Sequence, residues 1–161
     1  MRNYNMKSSL RILIADDQPI VNKTLISYIK DLDHQVDKAY DAATALEIIK
    51  SNKYDLTIID LHIPGAKGLS IIGKIQQLKP EMPIVVITCN GNINMAVESL
   101  RLGATDFLTK PIRMLELEGV LIKSARLSKL HSQQTQNIKK LENECDALKA
   151  RISKLTMQLK K

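Results

Sequence analysis

The stretch LRILIADDQP, residues 10–19, decides the fold. It opens with a short run of branched apolar residues, which is typical of a buried parallel strand. The run stops at Asp16 and Asp17, and Pro19 follows. Proline suits the first turn of a helix, where its missing N–H leaves no hydrogen bond unmade. The stretch therefore predicts a buried strand that ends in two acidic residues and leads directly into a helix.

The same pattern recurs four more times along the chain. Further strands are predicted at 35–40, 56–59, 84–87 and 105–108, and a segment with helical spacing follows each one. The strand at 35–40 is more polar, which indicates a position near an edge of the sheet. This alternation predicts an α/β fold with a doubly wound, five-stranded parallel sheet. We expect the flavodoxin-like strand order 2-1-3-4-5, in which ligands bind beyond the carboxyl ends of strands 1 and 3.

Polar residues follow four of the predicted strands at this edge. Asp16 and Asp17 end the first strand, Asp60 the third and Thr88 the fourth, while Lys110 follows the fifth. Gathered carboxylates repel each other, and a divalent cation relieves the conflict. Because the available ligands are oxygens, we expect Mg²⁺. Asp60 is then the candidate to accept a phosphoryl group as an acyl phosphate, with Lys110 and Thr88 as donors to its oxygens.

Each of these residues also has an ordinary structural interpretation. An aspartate after a strand often caps a helix or a turn, as Asp16 or Asp60 would. Thr88 alone would bond to the backbone, and Lys110 alone would be a solvated surface lysine. The combination of residue types at the ends of the predicted strands favours the functional interpretation.

Four stretches resemble the receiver domain of bacterial two-component response regulators: ILIADDQP (12–19), TIIDLHIPGAKGL (57–69), VVIT (85–88) and GATDFLTKPI (103–112). The resemblance covers residues 10–125. It implies that Asp60 is phosphorylated by a sensor histidine kinase or a phosphotransfer protein. It also implies a phosphoacceptor signalling domain, which catalyses only its own phosphotransfer and dephosphorylation.

The resemblance further assigns roles at the site. Lys110 would contact the phosphoryl group, and the bond between Lys110 and Pro111 would be cis, as X–Pro bonds permit. The implied magnesium ligands are Asp16, Asp17, Asp60 and the backbone carbonyl of His62.

The resemblance also names Thr88 and Phe107 as a switch pair. On phosphorylation the threonine hydroxyl would move inward and the aromatic ring would follow, changing the face formed by helix 4, strand 5 and helix 5. A permanently buried ring is the alternative for Phe107, the one Phe of the chain. Cys89 and His62 depart from the common family pattern. Because of these two departures, the resemblance does not predict how fast Asp60 would be phosphorylated or how fast its acyl phosphate would be hydrolysed.

The C-terminal segment, residues 126–161, predicts a coiled coil that extends the last helix. Its apolar residues alternate three and four apart, at Ile138, Leu141, Cys145, Leu148, Ile152, Leu155 and Leu159. Isoleucine at a and leucine at d favour a parallel homodimer through 138–159. Residues 128–137 are predicted to be either flexible or loosely paired, and an amphipathic helix folded back on the domain is the alternative for the seam. Residues 1–9 are expected to be a flexible N-terminus.

The distribution of charge also divides the chain, near residue 118. The net charge of +7 falls entirely in residues 119–161, whereas the acidic and basic residues of 1–118 balance. The basic side chains of the tail are spread out, which is typical of a solvated face and makes direct nucleic-acid binding an unfavoured alternative. Two distant cysteines and the lack of a long apolar run predict a cytoplasmic chain with no membrane segment.

Two further functions remain open beside the phosphorylation switch. The stretch MAVESLRLGATDFLTKP (95–111) is similar to receivers of the nitrogen-regulator class, which often precede an ATPase and a DNA-binding domain. The chain would then be the regulatory fragment of a transcriptional activator whose output domains lie elsewhere. The other alternative is a nucleic-acid binder that acts through its basic tail.

Overall fold

The structure is a computed structural model that describes residues 9–89 and 91–159. Residues 1–8 of the expected flexible N-terminus lie outside the described residues. Within the described part, strands and helices alternate in the order β1 (Arg11–Ala15), α1 (Pro19–Asp31), β2 (Gln35–Ala39), α2 (Ala42–Ser51), β3 (Leu56–Asp60), α3 (Ser70–Leu78), β4 (Ile84–Thr88), α4 (Ile93–Arg101), β5 (Asp106–Thr109) and α5 (Met114–Leu159).

The strands form one parallel sheet in the order β2-β1-β3-β4-β5. The predicted flavodoxin-like order is therefore confirmed. β3 and β4 are buried at every position, as central strands covered on both faces should be. β2 lies at an edge, and its polar residues are partly exposed, as its composition predicts.

Alternate residues of each central strand supply two separate apolar layers. Ile12 and Ile14 of β1 face one layer, which α1 and α5 cover with residues such as Leu25 and Leu121. Leu13 faces the other layer, which α2 and α3 cover. Each fully buried Leu or Ile contributes about 1.5–3 kcal/mol relative to an exposed one. The two layers hold the strands in register and so fix where their carboxyl ends lie.

Side-chain caps define the beginnings of two helices. The carboxylate of Asp41 accepts a hydrogen bond from the backbone N–H of Thr44 at 2.8 Å and so caps α2. Asn92 caps α4 in the same way through the N–H of Met95. Each cap satisfies a backbone donor that the helix itself leaves without a partner.

The last helix is longer than any other described element. α5 spans 46 residues and runs without a break through 128–137, which the sequence left open between a flexible and a loosely paired segment. The chain divides into two compact units, the first ending at Ser128 and the second beginning at Lys129. In the second unit, the side chains of Ile138, Leu141 and Leu148 are more than half exposed. No helix in the described ranges is long and apolar enough to cross a membrane.

His34 makes the stability of the fold depend on pH. The ring is buried, and its Nδ1 accepts a hydrogen bond from the N–H of Leu10 at 3.2 Å. Burial lowers the pKa of His34, against the weaker opposing effects of Asp33 and Asp55. The unfolded chain therefore takes up this proton at a higher pH than the folded chain does, so stability is lost as pH falls below the ordinary histidine pKa of about 6.5.

We expect urea denaturation to give a lower free energy of unfolding at about pH 5.5 than at about pH 7.5. The decrease should be smaller in His34→Gln, because glutamine can accept the same N–H but does not titrate. Equal decreases in the two proteins would show that other groups cause the pH dependence.

Candidate functional site

The ammonium group of Lys110 lies between two buried carboxylates at the carboxyl edge of the sheet. Its Nζ donates to Asp16 Oδ2 at 2.7 Å and to Asp60 Oδ2 at 2.5 Å. Asp16 directly follows β1, Asp60 ends β3, and Lys110 directly follows β5. The side chains of the two aspartates are 0% and 1% exposed. The strand order thus brings together three charged groups that are far apart in sequence.

Opposing effects set the charge of Lys110. Burial lowers the pKa of Lys110, because removal from water penalises the ammonium. Hydrogen bonds and charges from Asp16 and Asp60 outweigh that effect, so its pKa lies above the usual value. The lysine stays protonated at neutral pH, and its one positive charge faces two carboxylates.

The second oxygen of each carboxylate receives a backbone N–H. The N–H of Gln18 donates to Asp16 Oδ1 at 2.7 Å, and the N–H of His62 donates to Asp60 Oδ1 at 2.8 Å. The loops after β1 and β3 therefore orient the two carboxylates from the outside, while Lys110 holds them from the other side. A carboxylate held in this way presents its oxygens in a fixed direction to an incoming group.

Thr88 lies at the same edge, at the end of β4, and its side chain is buried. Its Oγ1 lies 3.2 Å from Nδ1 of His62. The same Nδ1 lies 3.4 Å from Asp60 Oδ1. The imidazole of His62 therefore stands between the candidate phosphoacceptor and the hydroxyl of the candidate switch residue.

Asp17 and Phe107 are the two remaining predicted site residues. The side chain of Asp17 is exposed, next to the buried Asp16. The ring of Phe107 is partly buried and packs against the core layer beneath α2 and α3. A Cβ at Gly91 would lie 2.8 Å from an atom of this ring, so only glycine leaves the ring its present position without a shift.

The donor chemistry of the edge suits a hard cation, although the carboxylates are not gathered as a ligand cluster. Within residues 9–89 and 91–159, no group of three or more His, Cys, Asp or Glu side chains is arranged to hold a metal. Asp16 and Asp60 direct one oxygen each at Lys110, and Asp17 points to solvent. All the candidate ligands are oxygens, which fits Mg²⁺ better than a softer metal.

Gln18 also belongs to the site, although it was not among the residues predicted from the sequence. Its Oε1 accepts from Lys110 Nζ at 3.2 Å, and its Nε2 lies 3.8 Å from the sulfur of Cys89. Gln18 thus links the lysine to the loop that follows β4. Its position in the sequence could have indicated this role, because Gln18 directly follows the acidic pair at the same sheet edge. The bond between Lys110 and Pro111 is cis, as the resemblance implies.

Comparison with known proteins gives one family. The sequence model of the family described as response regulator receiver domain matches residues 12–122. The two-component response regulator PhoP of Pseudomonas aeruginosa is 33% identical over 112 residues, which are 70% of this chain and 50% of PhoP. The response regulator PilR of the same organism is 31% identical over 120 residues, 74% of this chain and 27% of PilR.

Solved structures agree with these relatives. A crystal structure of NtrX from Brucella abortus superposes with a TM-score of 0.72 at 30% identity, covering 80% of this chain and 29% of NtrX. The chain thus spans half the length or less of these relatives.

Replacing Lys110 is expected to destabilise the fold. Lys110→Met leaves Asp16 and Asp60 buried with no ammonium between them, and breaking a buried pair in this way typically costs about 3–5 kcal/mol. Urea denaturation at neutral pH should show this loss as a lower free energy of unfolding. Lys30→Met, at an exposed position of α1, is the matched control and should change stability by about 0.5 kcal/mol or less. Equal effects of the two substitutions would contradict the proposed role of the buried ammonium.

Proposed function

The chain belongs to the response regulator receiver family, through residues 12–122, and we propose from this membership that it is a switch controlled by phosphorylation of Asp60. Receiver domains act in two-component signalling, so the donor would be a sensor histidine kinase or a phosphotransfer protein. The observation that carries the proposal is the buried Asp60 carboxylate held by Lys110 at 2.5 Å. We place the switch in the cytoplasm, where such a kinase would meet it.

The proposed reaction needs little covalent chemistry from the protein. A carboxylate oxygen of Asp60 attacks the phosphorus of the donor, and a new P–O bond forms. The bond from phosphorus to the donor breaks, and the donor keeps its electron pair. Phosphoryl transfer depends mainly on positioning and on neutralising the phosphoryl oxygens. Lys110, fixed between two strand ends, would donate to one of those oxygens once Asp60 is phosphorylated.

Charge balance supports Mg²⁺ as a cofactor. Lys110 offers one positive charge to two carboxylates, and an incoming phosphoryl group adds further negative charge. A bound Mg²⁺ supplies positive charge at the phosphoryl oxygens. The residues we propose to hold it are Asp16, Asp17, Asp60 and the backbone carbonyl of His62.

Thr88 and Phe107 would transmit the change. Thr88 ends β4 beside the site, and the Phe107 ring in β5 packs close to Gly91 in the loop after β4. Lys123 of α5 donates to the carbonyl of Thr105 at 2.7 Å and to the carboxylate of Asp106 at 3.0 Å. These contacts join α5 to β5. We therefore propose the surface of α4, β5 and α5 as the face that responds to phosphorylation.

The proposed output is a parallel homodimer through 138–159. Ile138 and Ile152 at a and Leu141, Leu148 and Leu155 at d are all more than half exposed, although a water-exposed apolar seam is unfavourable. In a parallel pair, Glu144 would face Lys149 of the other copy with opposite charge. A second copy of the chain would bury this seam.

A second candidate concerns the rest of the protein. This chain covers 29% of NtrX and 27% of PilR, so in both relatives most of the molecule lies outside the matched part. The chain would then be the regulatory region of a transcriptional activator. This candidate shares the proposed chemistry of Asp60 and differs only in the output.

Incubation with Mg²⁺ and a small acyl-phosphate donor is expected to add one phosphoryl group, measured by the mass of the intact protein. Asp60→Asn should abolish the adduct, because the amide cannot form the acyl phosphate. Asp31→Asn, an exposed aspartate at the end of α1, is the matched control and should leave the adduct unchanged. No adduct on the unaltered chain, or one that persists in Asp60→Asn, would refute phosphorylation at Asp60.

The same assay tests the proposed cation. Removing Mg²⁺ with a chelator should slow phosphoryl uptake strongly, and Asp17→Asn should raise the Mg²⁺ concentration needed for half-maximal uptake. Because Asp17 is exposed, this substitution should leave the free energy of unfolding within about 0.5 kcal/mol of the original. Uptake that is insensitive to the chelator would rule out the proposed cation.

Cys145 reports on the proposed coil, because an a position places its two copies side by side in a parallel dimer. In a Cys89→Ser background, mild oxidation should yield mostly covalent dimer on a non-reducing gel. As a control, Cys145→Ser with Ser153→Cys moves the thiol to an outward b position and should cross-link far less. Monomer alone from the Cys145 protein, or equal cross-linking of the two, would exclude the parallel in-register coil.

A further inference from the structure

The ring of His62 contacts the two residues whose coupling the proposed switch requires. Its Nδ1 lies 3.2 Å from Thr88 Oγ1 and 3.4 Å from Asp60 Oδ1. The backbone N–H of the same residue donates to Asp60 Oδ1 at 2.8 Å. One residue thus contacts the phosphoacceptor twice and the switch hydroxyl once.

The position of the proton on the ring follows from these contacts. A carboxylate oxygen can only accept hydrogen bonds. A bare Nδ1 would turn its lone pair toward that oxygen, whereas a protonated Nδ1 is attracted to it. We therefore assign the hydrogen to Nδ1. The N–H then donates to Thr88 Oγ1, and the threonine oxygen acts as an acceptor, while Asp60 Oδ1 attracts the same ring nitrogen from 3.4 Å.

We propose that His62 is a positioning residue that holds the Thr88 hydroxyl in its unphosphorylated orientation. This inference rests on the proposed function, because it adds a restraint to the switch at Asp60. The Nδ1–H of His62 retains the hydroxyl oxygen while the Asp60 carboxylate keeps the ring in place. A phosphoryl group on Asp60 brings new acceptor oxygens, to which both the ring N–H and the threonine hydroxyl can donate. The restraint is then exchanged for contacts with the phosphoryl group.

The burial of the partners makes such a restraint effective. Thr88 and Asp60 are 0% and 1% exposed, so the hydrogen bonds that His62 makes to these two residues are shielded from water on their side. The His62 side chain is 53% exposed, and its ring can be replaced without opening a cavity in the core. His62 therefore offers a contact that can be removed while the strand ends stay in place.

The test compares two substitutions that separate the N–H from the ring. His62→Phe keeps a planar ring and removes the donor, while His62→Asn removes the ring and keeps an amide donor close to the position of Nδ1. The χ1 populations of Thr88 are measured in the unphosphorylated protein from couplings to its ¹³C-labelled methyl group. The resonance is assigned by its absence in Thr88→Ser.

We expect the rotamer ratio of Thr88 to change about two- to tenfold in His62→Phe, as the loss of one hydrogen bond predicts, and to stay near the original value in His62→Asn. After phosphorylation, the original chain and His62→Phe should show the same Thr88 rotamer. An unchanged ratio in His62→Phe overturns the proposal. Equal changes in both variants also overturn it, since the ring and not its N–H would then matter.

Different results would refute the restraint of Thr88 by His62 and the phosphorylation of Asp60. If the chain accepts a phosphoryl group on Asp60 but His62→Phe leaves Thr88 unchanged, only the restraint is refuted. If the chain accepts no phosphoryl group, phosphorylation of Asp60 is refuted. The rotamer comparison needs no phosphorylation and still decides whether His62 restrains Thr88.

Discussion

The contact of one buried ammonium with two buried carboxylates governs this structure. Lys110 donates to Asp16 and Asp60, and none of the three side chains is more than 5% exposed. Taking such charges from water costs several kcal/mol each, and only good geometry compensates for it. The partners must therefore be placed accurately, although they come from three separate regions of the chain. This requirement explains why the site lies at strand ends, which the core holds in fixed register.

The apolar core provides that accuracy. β1 and β3 are neighbours, and their residues pair in register from Ile12 opposite Leu56 to Ala15 opposite Ile59. Asp16 and Asp60 each continue this register by one residue, which places their carboxylates side by side beyond the apolar layers. β4 adds Thr88 and β5 adds Lys110 at the same edge. The polar chemistry is thus confined to the end of a sheet that is otherwise covered on both faces.

Much of this arrangement could be predicted from the sequence, since it depends on periodicity and on the geometry of parallel strands. The strand order and the meeting of Asp16, Asp60, Thr88 and Lys110 at one edge follow from those rules. The place of Gln18 at this edge could be predicted from its position after the acidic pair. Its contacts and those of the His62 ring could not, because a side-chain rotamer depends on neighbours that are distant in sequence. Continuity of α5 through 128–137 was left open for a related reason, as weakly patterned residues do not distinguish a helix from a linker.

The positions of the charged residues along the chain are more informative than the net charge. A net charge of +7 suggests an acidic partner, yet all of it falls in residues 119–161, and the acidic and basic residues of 1–118 balance. At the site itself two carboxylates face one ammonium group, so the local net charge is negative. A phosphoryl group on Asp60 would increase that negative charge. This local excess of negative charge is the physical argument for proposing Mg²⁺ as the cofactor of the phosphorylation reaction.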